Sequence, residues 1–322
     1  MLKPIKLIPD NLNIGFMRWS KVAIIASTIA ILVSIAGAFV LGLNFGIDFK
    51  GGTSIRTEST QPVDVAEYRS ALAPLGLGDV TISEVFDPTY GADRNVAQIR
   101  IEAQEGGDDD VVKLVEAALK QSIDPDIRFE QVTTIGPQVS GELVRTAIEA
   151  VLAAMAAVLF YIWLRFEWQF ALGAVAALVH DVILTIGIFS ALQIPFDLAI
   201  IAALLTIVGY SLNDTVVVFD RVRENLRKYK KLSLKDVLNL SINETLTRTV
   251  MTSVTTLLAL IALFVLGGDV IRGFVFAMIW GVIVGTYSSV FVASAILLKL
   301  GVKRDWSKPD KSAGTQFADV DA

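Results

Sequence analysis

Six long apolar segments stand out in the pattern of hydrophobic and polar positions along the chain. Each has about 20 residues, the length that an α-helix needs to cross the hydrocarbon core of a bilayer. A basic residue, Lys21, precedes the first segment, but this segment is too long for a cleaved signal peptide and is interpreted as an uncleaved anchor. The sequence therefore predicts six transmembrane helices, at Val22–Leu43, Leu143–Leu164, Gln169–Leu192, Leu198–Phe219, Thr249–Leu266 and Ile271–Leu298.

The segment between the first two apolar stretches has the pattern of a compact α+β domain. Helical spacing predicts helices at Pro62–Leu75 and Asp108–Ser122. Alternating runs predict strands at Thr53–Glu58, Val80–Phe86, Val96–Glu102 and Ile127–Thr133. The order β-α-β-β-α-β is that of a ferredoxin-like sheet with two helices on one face. The predicted fold is an α-helical membrane protein with six transmembrane helices and an α+β ferredoxin-like extracytoplasmic domain between helices 1 and 2.

The uneven distribution of Lys and Arg predicts the orientation of the chain. Short cytoplasmic segments of membrane proteins carry the positive excess. Basic residues cluster before the first span, between the fourth and fifth, and after the sixth, which all lie on one side if the spans alternate. Residues 44–139 instead contain 17 Asp and Glu against 8 Lys and Arg, a balance that a translocated domain tolerates. Both termini are therefore expected in the cytoplasm.

Five parts of the chain follow from these patterns. They are a cytoplasmic N-terminal segment (1–21), a first transmembrane helix (22–43), a periplasmic α+β domain (44–141), a five-helix transmembrane region (142–300) and a cytoplasmic C-terminal tail (301–322).

Composition supports a membrane protein and argues against several kinds of chemistry. Of the 322 residues, 53% are hydrophobic and 19% charged, which is too apolar for an ordinary soluble domain. The chain has no cysteine and one histidine, so thiol chemistry is excluded and a zinc or haem centre is not expected. The formal net charge of −5 argues against binding to nucleic acid. We expect no metal and no cofactor.

Three ionisable groups lie deep in the predicted spans, where a charge costs about 2.5 to 3.5 kcal/mol on insertion scales. They are His180, Asp181 and Asp214. Around Asp214, Gly209 and Ser211 permit close helix packing, and Asn213 and Thr215 offer hydrogen bonds. This environment is suited to a polar relay. Arg248 begins the fifth span at the face where the fourth span ends, so the two side chains are expected to be neighbours. A static ion pair between them and an Arg248 that reaches lipid phosphate remain open as alternatives.

A second candidate relay is the pair His180 and Asp181. Histidine titrates near physiological pH and can pass protons. Adjacent residues of a helix project about 100° apart, which argues against direct pairing of the two. Separate hydrogen bonds to neighbouring helices are the simpler alternative.

Two further groups of residues have a structural interpretation. Three aspartates, 108–110, open a predicted helix and are more simply explained by capping and the helix dipole than by a cation site. Gly281 and Gly285, four residues apart in the sixth span, predict a face for close helix packing.

Four motifs give the chain a resemblance to a known family. The run FGIDFKGGT (45–53) resembles the signature shared by SecD and SecF, and GPQVSGEL (136–143) resembles that family's entry into its second span. The run GYSLNDTVVVFDRVREN (209–225) is similar to the SecF form of the fourth span, and residues 272–289 resemble the last span. The match extends from about Phe16 to Arg304, so the chain is identified as a member of the SecD/SecF family of protein-export membrane proteins, within the resistance-nodulation-division superfamily.

The resemblance implies a function in protein export across the cell inner membrane. It implies a six-helix half of a transporter that pairs with SecD and uses the proton motive force to promote late steps of polypeptide translocation. The implied partners are SecD, the Sec translocon channel, the exported polypeptide and the lipid bilayer, with YajC as a further candidate. Such a protein performs no covalent chemistry on a substrate and is not expected to be an enzyme.

The same resemblance assigns roles to individual residues. The aspartate and arginine that the family is thought to use for proton passage match Asp214 and Arg248. Asp48, Gly51 and Gly52 match the signature, to which we assign a structural role between the first span and the outer domain, with glycines allowing a tight turn.

Two other classes of function remain open. An exporter of lipids or drugs from the same superfamily would share the fold, although such chains usually contain two six-helix halves with larger outer domains. A scaffold that holds a SecD-like partner without conducting protons would keep the topology and would be indifferent to neutralisation of Asp214.

Overall fold

The computed structural model describes residues 13–85, 94–104 and 108–302. Six helical segments in this part are long and apolar enough to span a membrane, and five of them are single helices: α1 (Ser20–Val40), α5 (Pro137–Arg165), α6 (Trp168–Leu192), α7 (Leu198–Lys228) and α8 (Leu234–Leu266). The sixth runs through α9 (Asp269–Tyr287), a π-helical stretch (Ser288–Ala293) and α10 (Ser294–Leu300). These segments contain all six predicted apolar stretches or overlap them.

Between α1 and α5 lies an α+β domain, here called the sheet domain. A short helix, α2 (Ile47–Lys50), leads into it. Its helices are α3 (Val65–Leu72) and α4 (Asp108–Ser122), and its strands are β1 (Gly52–Ser59), β2 (Val80–Val85), β3 (Asn95–Glu102) and β4 (Arg128–Ile135). The strands form one antiparallel sheet in the order β2-β3-β1-β4. This order confirms the predicted ferredoxin-like fold.

The core of the sheet domain explains its strand pairing. Ile55 on the central strand β1 faces Ile99 of β3, and both side chains are fully buried. Tyr68 and Leu72 of α3 and Val115 of α4 cover the same face of the sheet. The predicted end of β2, at Phe86, lies outside the described residues, as do the side chains of the first two aspartates of α4.

The central helices of the membrane part are α6, α7 and α9, whose side chains are the most buried, whereas α1, α5 and α8 expose apolar surfaces. The exposed surfaces are compatible with lipid or with further helices. Gly281 of α9 confirms the predicted packing face, because a side chain there would overlap Ile207 of α7. Gly285 likewise packs against Ser211.

The link between the fourth and fifth spans is shorter than the sequence indicated. We expected a basic link between Phe219 and Thr249, but α7 continues to Lys228 and α8 begins at Leu234. With 31 and 33 residues, both helices exceed the roughly 20 residues needed to cross a bilayer. Hydrophobicity marks only the part of a helix that lies in lipid, so polar continuations of a span are missed.

Candidate functional site

His180 and Asp181 of α6 form a direct pair, with 2.9 Å between His180 Nδ1 and Asp181 Oδ1. Each residue is only 1% exposed. The expectation that adjacent helical residues do not pair directly was wrong. The 100° between neighbours describes where the Cα–Cβ bonds point, and rotation about the side-chain bonds still lets the two tips meet.

The second oxygen of Asp181 joins three helical segments. Its Oδ2 accepts hydrogen bonds from Ser211 Oγ of α7 at 2.6 Å and from Ser288 Oγ of the π-helical stretch at 2.8 Å. Both serines are fully buried. The sequence predicts only close helix packing for Ser211, and its spacing does not mark Ser288 as a second donor to Asp181.

The network continues along α7 toward Asp214. Thr215 Oγ1 lies 2.9 Å from Ser289 Oγ, and the two hydroxyl oxygens lie 3.2 and 3.4 Å from the backbone carbonyl oxygen of Ser211. Ser288 and Ser289 are the first residues of the π-helical stretch, which adds a residue to the helical turn and presents two successive serines to the network. Such π-bulges occur frequently at functional sites.

Asp214 is 3% exposed and lies beside this network on α7. Within the part of the chain that the structure describes, its buried Oδ2 has no hydrogen-bond partner. Two residues that we expected to support it do not do so, because no atom of the described residues contacts the Cα face of Gly209 and Asn213 is exposed. A buried polar atom left without a partner costs about 1 to 3 kcal/mol, so its presence requires an explanation.

Arg248 of α8 is exposed and attracts the Asp214 carboxylate electrostatically. Among the ion pairs of the described residues, none joins Arg248 to Asp214. The static ion pair that the sequence left open is therefore not formed in this structure. Arg248 therefore acts on Asp214 through electrostatic attraction and not through a direct ion pair.

His180 has a second buried nitrogen on the other side of its ring. Its Nε2 has no hydrogen-bond partner among the described residues. The ring of Tyr287 lies 6.0 Å away, centroid to centroid, and its hydroxyl is 3.0 Å from Ser27 Oγ of α1. Within the described residues, the network has an unpartnered nitrogen on His180, and an unpartnered oxygen of Asp214 lies beside it. Groups of these two kinds can accept and release protons without covalent chemistry.

The signature residues lie at the other end of the membrane helices, next to the sheet domain. Gly51 and Gly52 have φ angles of +74° and +128°, and a side chain at Gly52 would overlap the carbonyl oxygen of Ile101. Only glycine tolerates this conformation, as the predicted turn requires. Asp48 Oδ2 accepts a hydrogen bond from the backbone N–H of Leu198 at 3.0 Å, a contact that sequence analysis did not find.

Comparison with known families gives matches to two models of the SecD/SecF family. The model of the protein export membrane protein SecD/SecF, C-terminal region, matches residues 115–303, which is more than half of the chain. The model of the SecD/SecF GG motif matches residues 37–63, which include the glycine turn described above.

Similar proteins are named as SecF, and a similar solved structure is that of SecDF. The protein translocase subunit SecF of Cereibacter sphaeroides is 59% identical over 321 residues, 99% of each chain, and that of Rhodobacter capsulatus is 57% identical over 96% of this chain and 95% of its own. The crystal structure of SecDF, a translocon-associated membrane protein from Thermus thermophilus, superposes with a TM-score of 0.81 at 34% identity. The match covers 92% of this chain but 40% of the SecDF chain. The chain belongs to the SecF family of protein translocase subunits.

Proposed function

We propose that this protein acts with SecD in the cell inner membrane and uses the proton motive force to promote late steps of polypeptide translocation. The observation that carries the proposal is the buried carboxylate oxygen of Asp214, which has no partner among residues 13–85, 94–104 and 108–302 and lies beside a hydrogen-bonded network across α6, α7 and the π-helical stretch. A transport component of this kind performs no covalent step on its substrate.

The proposed partner is SecD, which would supply a second set of transmembrane helices. This chain spans only 40% of the SecDF chain that it superposes on, and α1, α5 and α8 expose large apolar side chains. Further proposed partners are the Sec translocon channel and the exported polypeptide, with YajC as an additional candidate.

The proposed orientation follows the positive-inside rule. Residues 1–21 and 301–322 lie in the cytoplasm, residues 22–43 and 142–300 contain the membrane spans, and residues 44–141 lie in the periplasm. In this orientation, Asp48 and the sheet domain face the periplasm, and the ends of α7 and α8 near Tyr229 face the cytoplasm.

In the proposed relay, Asp214 gains and loses a proton, and its attraction to Arg248 changes with its charge. Removal of one charge from a poorly solvated site changes the local electrostatic free energy, and this change can shift how the helices pack. His180 and Asp181 form a second relay, because the hydrogen bond that Ser211 donates to Asp181 connects them to the helix that carries Asp214.

Asp214→Asn distinguishes this relay from a scaffold. The substitution keeps the size and hydrogen-bonding capacity of the side chain but removes its proton exchange, so we expect normal insertion and copurification with SecD. Export into inverted membrane vesicles should keep its basal rate and lose its stimulation by an imposed proton gradient. Thr206→Ala, which removes a hydroxyl that bonds only within α7, is the matched control and should be stimulated normally.

Substitutions of Arg248 test the partner charge in the same assay. We expect Arg248→Met to lose the stimulation and Arg248→Lys to keep part of it, since the positive charge remains. A combination of Asp214→Asn with Arg248→Met should be no worse than either change, because effects within one coupled site are not additive. Normal stimulation of the Asp214→Asn vesicles would favour the scaffold instead.

A further inference from the structure

Residues 44–52, here called the junction, connect α1 to the sheet domain and also bind the start of α7. The N–H of Gly46 donates to the carbonyl of Phe196 at 2.8 Å, and the N–H of Phe196 donates to the carbonyl of Asn44 at 2.8 Å. These bonds pair Phe45 with Phe196 as a short parallel bridge. The backbone that enters the sheet domain is therefore attached to the backbone that enters α7.

Asp48 strengthens this attachment through its side chain. Leu198 is the first residue of α7, and its N–H is one of those that a helix cannot satisfy internally. Asp48 Oδ2 accepts this N–H at 3.0 Å, although it lies 150 positions earlier in the chain. Asp197 caps Ile200 at 3.2 Å in the usual local way, so Asp48 adds a long-range cap to a helix that already has one.

The opposite end of the junction has little freedom to move. Gly52 is the first residue of β1, which lies between β3 and β4 in the sheet. The Cα face of Gly51 abuts the backbone of Ile135 and of Pro137, the last residue of β4 and the first residue of α5. A displacement at Phe196 therefore reaches β1 through one short four-residue helix, α2.

The rest of this face of the sheet domain is not packed tightly against the membrane helices. A cavity of about 480 Å³ separates polar side chains of the sheet from the ends of the membrane helices, including Phe264 and Phe276. Across one side of this cavity, Arg100 of β3 interacts electrostatically with Asp48 and Asp197. The sheet domain is therefore attached to the membrane part at the junction and at the link from β4 to α5, which the junction contacts through Gly51.

We infer that the junction is a mechanical tie between α7 and the sheet domain, and that Asp48 is the positioning residue that keeps it rigid. Movement of α7 along its axis is passed to β1, and the sheet domain moves with it. The inference deepens the proposed function, because α7 is the helix that carries Asp214.

Three variants test the hydrogen bond at the centre of the tie. Asp48→Ala removes the acceptor, whereas Asp48→Asn keeps an acceptor because asparagine caps helices as well as aspartate does. Leu198→Pro removes the donor from the other side, and proline is favoured at the first position of a helix. The residue before it, Asp197, already has the extended backbone that precedes proline.

The readout is the distance between two spin labels, one on each side of the tie. The chain has no cysteine, so Ser122→Cys on α4 and Leu266→Cys at the end of α8, both exposed, place the labels without further changes. The measurement uses the full chain copurified with SecD in liposomes, with no gradient. We expect Asp48→Ala and Leu198→Pro to broaden the distance distribution and Asp48→Asn to keep its original width.

The outcomes separate the tie from a merely structural cap. Unchanged widths in both Asp48→Ala and Leu198→Pro would overturn the inference, and so would equal broadening in Asp48→Asn. If either Asp48→Ala or Leu198→Pro fails to accumulate, the other one is used in its place, since the two changes remove the acceptor and the donor of the same hydrogen bond. An imposed gradient then tests the proposed function separately: absence of any shift in the parent protein would count against the relay, while the widths still decide on the tie.

Discussion

Asp181 has more hydrogen-bond partners than any other ionisable side chain deep in the described membrane helices. Its two oxygens contact His180 of its own helix, Ser211 of α7 and Ser288 of the π-helical stretch. Asp214, three residues after Ser211, has a buried oxygen that finds no partner in the described part of the chain. The side chain of Asp181 is thus held in place by its surroundings, whereas no hydrogen bond among the described residues holds Oδ2 of Asp214.

Asp181→Ala should destabilise the protein, because it leaves His180 Nδ1 and the hydroxyl of Ser211 without their acceptor. The expected loss in the free energy of unfolding is about 2 kcal/mol, the cost of a buried polar group left unsatisfied. Thermal unfolding in detergent, followed by circular dichroism, measures the effect. Asp220→Ala is the control, since its ion pair with Arg165 at 3.2 Å is exposed and worth at most about 1 kcal/mol. Equal melting temperatures for the two variants would contradict this account.

Sequence reasoning found the deep ionisable groups but not their partners. His180, Asp181 and Asp214 could be found because ionisable residues are rare in apolar spans. The contact between His180 and Asp181 depends on side-chain rotation, which helical periodicity does not describe. The role of Ser288 depends on a π-helical turn, which changes the faces that the following residues occupy.

At the scale of helices and strands, glycine marks where α7 and α9 approach each other. Gly281 of α9 has Ile207 of α7 directly over its Cα, whereas Gly209 of α7 has no atom nearby in the described structure. Sequence alone assigned close packing to both. Glycine permits a close approach wherever it occurs, but only the three-dimensional packing shows which glycine a neighbouring helix uses.

Substitution of these two glycines by alanine should have opposite effects. Gly209→Ala should leave stability unchanged or raise it by up to about 1 kcal/mol, because alanine is the better helix former. Gly281→Ala should lower the apparent melting temperature, because its methyl group overlaps Ile207, a side chain branched next to the backbone. The comparison uses detergent-solubilised protein and thermal unfolding. Destabilisation by Gly209→Ala to the same degree would mean that packing does not distinguish the two positions.

The ends of elements were harder to predict than their existence. The strands of the sheet domain were placed within two residues at the described ends, because alternating burial and turn residues mark where a strand begins and ends. The predicted C-terminal end of α7 was too early in the chain, and the predicted start of α8 was too late. Asn225 of α7 donates to Ser241 and Glu244 of α8, at 3.0 and 2.7 Å, so polar contacts stabilise the continuations beyond the apolar part.

At the scale of the whole molecule, the division into membrane helices and a sheet domain could be predicted, but their connection could not. The β-α-β-β-α-β order allows few antiparallel arrangements, so the ferredoxin-like sheet followed from the order of its elements. The bridge between Phe45 and Phe196 joins residues 151 positions apart through backbone atoms, which leave no periodic signal in the sequence. The packing of the six spans is also hidden, because lipid and protein select the same apolar side chains.

The orientation of the membrane part can be tested with reporters that are active only outside the cytoplasm. Fusions near Gly107 and Gly267 should be active, and fusions near Lys230 and Lys308 inactive, because the basic segments stay in the cytoplasm. A cytoplasm-specific reporter at the same four sites is the control and should give the opposite pattern. Activity of the first reporter at Lys230 would invalidate the proposed orientation.

Finally, the sheet domain should fold without the membrane part, and acid should destabilise it. Residues 52–134 contain the buried cluster around Ile55 and Tyr68, so we expect a soluble monomer with cooperative thermal unfolding and mixed helix and strand circular dichroism.

In this domain, the hydroxyl and N–H of Thr60 donate to Asp124 Oδ2, both at 2.7 Å, and hold the pKa of this carboxyl well below its usual range.

Because the pKa of Asp124 is lower in the folded than in the unfolded domain, its contribution to stability is complete above the unfolded pKa of about 3.9 and is lost as the pH falls below it. The melting temperature of residues 52–134 should therefore fall steeply below about pH 4. Asp124→Asn should melt lower at neutral pH and should show a shallower fall in acid, because asparagine does not titrate. Asp126→Asn, beside it in the same loop, is the control and should keep the steep fall. A parent and an Asp124→Asn domain with equally steep acid profiles would show that other carboxylates cause the loss, and a random-coil spectrum at neutral pH would show that the domain depends on the membrane helices for its fold.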